Sequence, residues 1–216
     1  MSGPTPIIVA IDGPAASGKS TVAKRVAAEL GCVFVNSGGM YRAFTWWVLQ
    51  NGIDPENTAE VLRLLAATDF SCGEEDGMGT ITVGGTRMTR AEMASTEVNA
   101  NVSVIAAIPE VRERLVAEQR HYAERNGVVM EGRDIGSVVF PGTPYKFYID
   151  ASPEVREQRR RSEGITDSIA NRDRIDSNRK ASPLVIPEDA VLIDSSDLSA
   201  DEVVETVMAS IRERFE

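Results

Sequence analysis

Apolar positions along this chain fall into two periods. Residues 6–12 form an apolar run closed by Asp12, Gly13 and Pro14. Residues 19–30 follow with Val22, Val26, Ala27 and Leu30 at helical spacing. The pattern predicts a buried strand, a glycine-bearing loop and a helix. Gly31 stops that helix, and residues 32–35 form a second short apolar run. Further buried-strand candidates lie at 128–130, 146–149 and 190–193, separated by helical patterns such as 110–125. Ser199 with Glu202 three residues later predicts a capping box opening the last helix. Strands alternating with helices predict an α/β fold, a parallel sheet of about five strands with helices on both faces.

The middle of the chain departs from this rhythm. Residues 70–88 carry Gly73, Gly77, Gly79, Gly84 and Gly85 around a short alternating run at 80–83. These residues predict small antiparallel hairpins inserted on the main sheet. The stretch from Arg159, Arg160 and Arg161 to Asp176 mixes charges around Gly164 and predicts a surface piece.

Composition narrows the class. The 216 residues, 42% hydrophobic and 26% charged, suit one soluble domain with a small insert. No apolar stretch approaches the roughly 18 residues of a membrane span, so no membrane partner is expected. The start, Met1, Ser2, Gly3, Pro4, carries neither a basic segment nor a cleavable apolar one, and the expected location is the cytoplasm. Cys32 and Cys72 are too few for a disulfide framework, and a single histidine, His121, excludes a multi-histidine metal site. A net charge of −10 argues against a nucleic-acid polymer as partner. Small anions remain possible where basic residues converge. Those residues are four lysines against nineteen arginines, a skew that suits planar, bidentate phosphate recognition. No large apolar stripe stands out, and a monomer is expected.

Residues Gly13, Pro14, Ala15, Ala16, Ser17, Gly18, Lys19 and Ser20 fit the P-loop pattern: glycine, four residues, glycine, lysine, serine or threonine. They lie between the predicted strand and helix, as that motif requires. Its glycines let backbone N–H groups curl inward onto phosphate oxygens at the positive end of the next helix. Lys19 supplies a point charge near the β and γ phosphates, and Ser20 offers a hydroxyl to magnesium. With Thr21, these residues are the candidate ATP site, with Mg2+ accompanying ATP as co-substrate. None of the four lysines follows an asparagine, so the Asn-Lys-x-Asp guanine reader of a GTPase is missing. Arginines at 42, 112, 133, 156, 159, 160, 172 and 179 are spread over distant segments. Arg133 follows directly on a predicted strand, and ligands in α/β sheets collect at strand C-terminal ends.

Five stretches together resemble the bacterial cytidylate kinases, a branch of the nucleoside monophosphate kinases. They are Ile11-Asp12-Gly13-Pro14 with the P-loop; Ser37-Gly38-Gly39-Met40-Tyr41-Arg42; Ser103 through Pro109 to Arg112; Glu131-Gly132-Arg133-Asp134-Ile135-Gly136 with Val138-Val139-Phe140-Pro141; and Arg172 through Asp176 to Arg179. The Gly-Arg-Asp-Ile-Gly block is far more specific than the P-loop alone.

The resemblance implies transfer of phosphate from ATP to CMP and dCMP, giving the diphosphates and ADP. It implies a core at about 1–36, 109–152 and 180–216, a monophosphate-binding part with the glycine-rich insert at about 37–108, and a lid at about 153–179. Ser37, Arg42, Arg133 and Arg179 would hold the acceptor phosphate, near Tyr41. Ser103, Arg112 and Asp134 would read the cytosine edge, and Arg172 with Asp176 the ribose. Arg156, Arg159 and Arg160 match the lid; Lys19, Arg133, Arg156 and Arg160 are the candidate catalytic residues. Glu131, where the family usually has aspartate, keeps a charge that can reach magnesium through water. Asn36 stands where the family often has aspartate, and no catalytic role transfers to it.

The inventory of residues agrees with that chemistry. A phosphate acceptor is largely ionised at pH 7, so no side-chain base is needed. A hydroxyl acceptor would want one, and only Asp12, Glu131 or Asp134 could serve. The alternatives are a kinase for another acceptor such as UMP, AMP or a hydroxyl compound, and a P-loop switch that hydrolyses slowly and signals through its shape.

Overall fold

The computed structural model describes residues 6–162 and 182–214. Five strands run parallel in the order β2-β6-β1-β7-β8: β1 (Ile8–Asp12), β2 (Val33–Asn36), β6 (Val128–Gly132), β7 (Tyr145–Asp150) and β8 (Val191–Asp194). Each expected strand is present. Side chains alternate across the sheet. Val9, Ile11, Val129, Phe147 and Ile149 pack with α1 (Lys19–Leu30) and α8 (Ala200–Glu213). Ala10, Val128 and Met130 face the other side, against α6 (Pro109–Ala123). Helices on both faces explain why these strands read as continuous apolar runs.

The insert consists of β3 (Phe70–Glu75), β4 (Met78–Val83) and β5 (Thr86–Arg87), which pair antiparallel as the glycine spacing predicts. It also joins the main sheet. Phe34 of β2 pairs in parallel with Met78, so the sheet extends to eight strands where about five were expected. Helices α2 (Ser37–Gln50), α3 (Thr58–Ala67), α4 (Arg90–Met93) and α5 (Thr96–Ala107) pack with the insert and α6 around a second apolar cluster centred on Phe44, Ile105 and Leu115. Helix α7 (Pro153–Ser162) follows β7. Among the described residues no helix is long and apolar enough to cross a membrane.

Local chemistry sets the helix ends. Ser199 and Glu202 form the expected capping box on α8. Asn36, Asn57 and Ser95 cap α2, α3 and α5 by accepting a backbone N–H. Helix α1 differs: its N-cap is Gly18 at φ 86°, with no side-chain cap and no acidic residue in its first turn. Its positive end is thus left for an anion.

Candidate active site

The loop between β1 and α1 wraps the N-terminus of α1. Gly13 has φ 153°, and a Cβ there would lie 2.0 Å from the carbonyl oxygen of Ile149, so only glycine fits. Lys19 is buried; its Nζ donates to the carbonyl of Pro14 at 2.9 Å and lies 3.9 Å from Glu131 Oε2. Ser20 Oγ donates to Glu131 Oε1 at 2.8 Å. Parallel pairing of β1 with β6 sets Ile11 beside Glu131, and this register brings Glu131 to the loop.

A cavity of about 640 Å³ runs from this loop across the C-terminal ends of β2 and β6. Ala15, Ala16, Gly18, Lys19, Ser20 and Thr21 line one end. Ser37, Tyr41, Arg42, Ser103, Arg112, Asp134, Arg133 and Arg160 line the remainder, with Glu131 between. At the far end Arg112 Nη2 donates to Asp134 Oδ2 at 2.5 Å, and Nη1 donates to the carbonyl of Ala106 at 3.1 Å. The same guanidinium sits 5.1 Å from the centre of the Tyr41 ring. Both members of the ion pair are buried. Ser37 Oγ donates to the carbonyl of Glu131 at 2.9 Å, and Arg42 Nη1 to that of Gly38 at 3.2 Å.

Other expected site residues lie elsewhere. Gly13, Pro14 and Ser17 belong to the loop but do not line the cavity. Arg156 is buried behind the loop, donating to the carbonyls of Ala151 at 3.0 Å and Ala15 at 3.3 Å. Arg159 Nη2 donates to the carbonyl of Ser195 at 2.8 Å and Nη1 to Ser195 Oγ at 3.1 Å. Arg172, Asp176 and Arg179, with most of the expected lid, lie outside the described residues.

One contributor escaped the sequence and another was read in a different role. Ser195, just past β8, braces the loop through contact of its hydroxyl with the carbonyl of Ser17 at 3.0 Å. Asp12 was a candidate base by position alone. Its carboxylate instead accepts the N–H groups of Ile135 and Gly136, opening the π-helical turn Ile135–Val139. Burial pushes its pKa up to about 6, a nearby Asp134 adds to the rise, and the two N–H groups and Lys19 oppose it. The signal for the turn was the Gly132-Arg133-Asp134-Ile135-Gly136 block; the signal for Ser195 was absent.

The Ser20 hydroxyl and Glu131 carboxylate form a hard-oxygen pair beside the phosphate-type loop. Among the described residues no group of three or more His, Cys, Asp or Glu could hold a metal ion. That donor set fits Mg2+, which takes one or two protein oxygens and keeps waters and substrate phosphates as its other ligands.

A parallel sheet with a glycine-flanked loop, an uncapped helix N-terminus and an inward lysine defines a P-loop nucleotide-binding protein. The family model for cytidylate kinase matches residues 9–213. A cytidylate kinase of Streptomyces avermitilis is 41% identical over 96% of this chain and 94% of its own length. One from Caldanaerobacter subterraneus subsp. tengcongensis is 43% identical over 94% of each. The chain belongs to the cytidylate kinase family. Among solved structures, TT1252 from Thermus thermophilus covers 98% of both chains at 19% identity with a TM-score of 0.48, a likeness too distant to add to this assignment.

Proposed function

We propose that the protein transfers the γ-phosphoryl group of ATP to CMP and dCMP, giving ADP and CDP or dCDP. The observation that carries this reading is that one continuous cavity is lined both by the P-loop and by the buried Arg112–Asp134 pair. The loop end suits a triphosphate. The fixed donor and acceptor of the far end suit the polar edge of a base, and a base of the wrong pattern would leave buried polar groups unpaired.

An oxygen of the CMP phosphate attacks the γ-phosphorus, the bond from that phosphorus to the β,γ-bridging oxygen breaks, and its electron pair leaves with ADP. The attacking oxygen is already ionised at pH 7 because the second phosphate pKa is about 6. No proton must be removed, which agrees with carboxylates that are all engaged: Asp12 by two N–H groups, Glu131 by Ser20 and Lys19, Asp134 by Arg112. A hydroxyl acceptor would find no available base among them.

The chain's work is alignment and charge neutralisation. Backbone N–H groups of the loop and Lys19 hold the donor phosphates. Ser37, Arg42 and Arg133 hold the acceptor phosphate, with Arg179 joining them. Ser103, Arg112 and Asp134 select the base beside Tyr41, and Arg172 with Asp176 hold the ribose. Arg160 contributes cationic charge near the transferring group. Arg156 acts one step removed, fixing the loop backbone at Ala15. Ser20 and, through water, Glu131 would hold Mg2+, which supplies positive charge at the β and γ phosphate oxygens.

ADP release from Mg-ATP, measured with CMP, dCMP, UMP, AMP, GMP or no acceptor, tests the reading. CMP and dCMP drive turnover. Arg133→Ala abolishes it while the fold is retained, and Lys19→Ala lowers kcat by about a hundredfold or more. Equal ADP release without acceptor would replace this reading with an ATPase or switch.

A further inference from the structure

Helix α6 grips the Ile135–Val139 turn at two places. Near the start of the helix, Arg112 pairs with Asp134, the residue that opens the turn. Eight residues on, about 12 Å along the helix axis, Arg120 reaches the other end of the turn. Its Nε donates to the carbonyl of Val139 at 2.8 Å and its Nη2 to the carbonyl of Val138 at 2.7 Å. The last carbonyls of a helical turn have no partner within it, and a cation beside them meets the negative end of its dipole. Arg120 does not itself line the cavity of the candidate active site.

The peptide unit joining Val138 to Val139 transmits that grip. Its carbonyl accepts from Arg120, and its N–H, that of Val139, donates to the carbonyl of Asp134 at 3.1 Å. The Val138 N–H donates to the same carbonyl at 2.9 Å. A peptide unit is planar, so fixing its oxygen fixes its N–H, and hydrogen bonds in series polarise one another. The chain of bonds runs from Arg120 through one peptide to the backbone of Asp134, whose side chain returns to Arg112 on the same helix. Arg133, one residue earlier, lines the cavity with Asp134. Asp12 holds the first two N–H groups of the turn, and Lys146 holds the carbonyl of Pro141 beyond it at 2.6 Å. Both of those anchors are buried, whereas Arg120 is exposed. Loss of Arg120 therefore leaves the turn folded but frees its last two carbonyls.

We propose that Arg120 is a positioning residue for the acceptor side of the site: it holds Asp134 and Arg133 in place through the Val138–Val139 peptide, and so sets acceptor affinity and base choice without touching either substrate. The inference rests on the proposed phosphorylation of CMP and adds to it a residue outside the cavity. A guanidinium suits this role because Nε and Nη2 offer a rigid fork to two successive carbonyls, where lysine offers a point charge without that geometry.

Steady-state rates of Arg120→Ala and Arg120→Lys beside the wild type, with ATP, CMP and UMP each varied, test the role. Arg120→Ala raises KM for CMP about fivefold to tenfold and leaves KM for ATP unchanged. Its preference for CMP over UMP in kcat/KM narrows several-fold, because Asp134 and Arg112 no longer present a fixed edge. Arg120→Lys, which keeps the charge and a donor, recovers part of the loss. Melting curves are taken on the same samples, since a merely stabilising contact would lower the melting temperature while both KM values and the CMP preference stayed intact. That result, or an equal rise in both KM values, would overturn the role. Wild-type ADP release that ignores the acceptor would fail the proposed function, and this inference with it. A wild type driven by CMP beside an Arg120→Ala enzyme with unaltered acceptor kinetics would fail this inference alone.

Discussion

The backbone N–H of Gly136 donates to Asp12 Oδ2 at 2.7 Å, joining the end of β1 to a turn 124 residues later. Ile135 N–H donates to the other carboxylate oxygen at 2.8 Å. The residues before that turn, Arg133 and Asp134, line the candidate site, so Asp12 fixes their position without facing the cavity itself.

This placement gives stability a pH dependence. Asp12 has a folded pKa of about 6 against an ordinary 3.8, so the fold favours its protonated form. Its contribution is fully present below pH 3.8 and is lost as pH rises through 6. Urea unfolding of the wild type and Asp12→Asn, compared at each pH, shows the wild-type advantage falling by about 3 kcal/mol between pH 3.5 and 7. A difference constant over that range would remove Asp12 as the titrating group.

The Arg112–Asp134 pair should behave as a unit. Asp134→Ala leaves the Arg112 charge buried and unpaired, at a cost of about 3–5 kcal/mol in urea unfolding. Arg112→Met combined with Asp134→Leu recovers most of that stability but none of the CMP-dependent turnover. Recovery of both would take the pair out of base recognition.

Gly13→Ala meets two obstacles, the φ of 153° and the carbonyl of Ile149. The Cβ overlaps backbone, which cannot rotate away as a side chain would. The expected loss is about 4 kcal/mol or more, with ATP-dependent turnover lost even in the folded fraction. A melting temperature within a few degrees of the wild type would show that the loop can move aside.

Ser195→Ala separates donor from acceptor effects. The hydroxyl lies 3.0 Å from the Ser17 carbonyl and accepts from Arg159. Its removal costs about 1–3 kcal/mol and raises KM for ATP several-fold, with KM for CMP unchanged, in steady-state assays at fixed second substrate. Equal change in both constants would point to general loosening of the fold.

The sequence alone determined the parts whose cause is local. The strand, loop and helix around the P-loop, the five buried strands, the hairpins of the insert and the Ser199 capping box depend on spacing within a few residues, where period and cap chemistry are visible in the chain. Only the tertiary structure decided which distant charges meet. The order β2-β6-β1 places Glu131 against Ser20 and Lys19, and packing of α6 against the Ile135–Val139 turn brings Arg112 to Asp134. Spacing along the chain does not encode strand order, so Arg156 and Arg160, four residues apart on α7, could not be told apart from the sequence. The fold turns Arg156 beneath the loop and Arg160 toward the cavity. For the same reason the carboxylate of Asp12 read as a candidate base, until two backbone N–H groups from across the sheet claimed it.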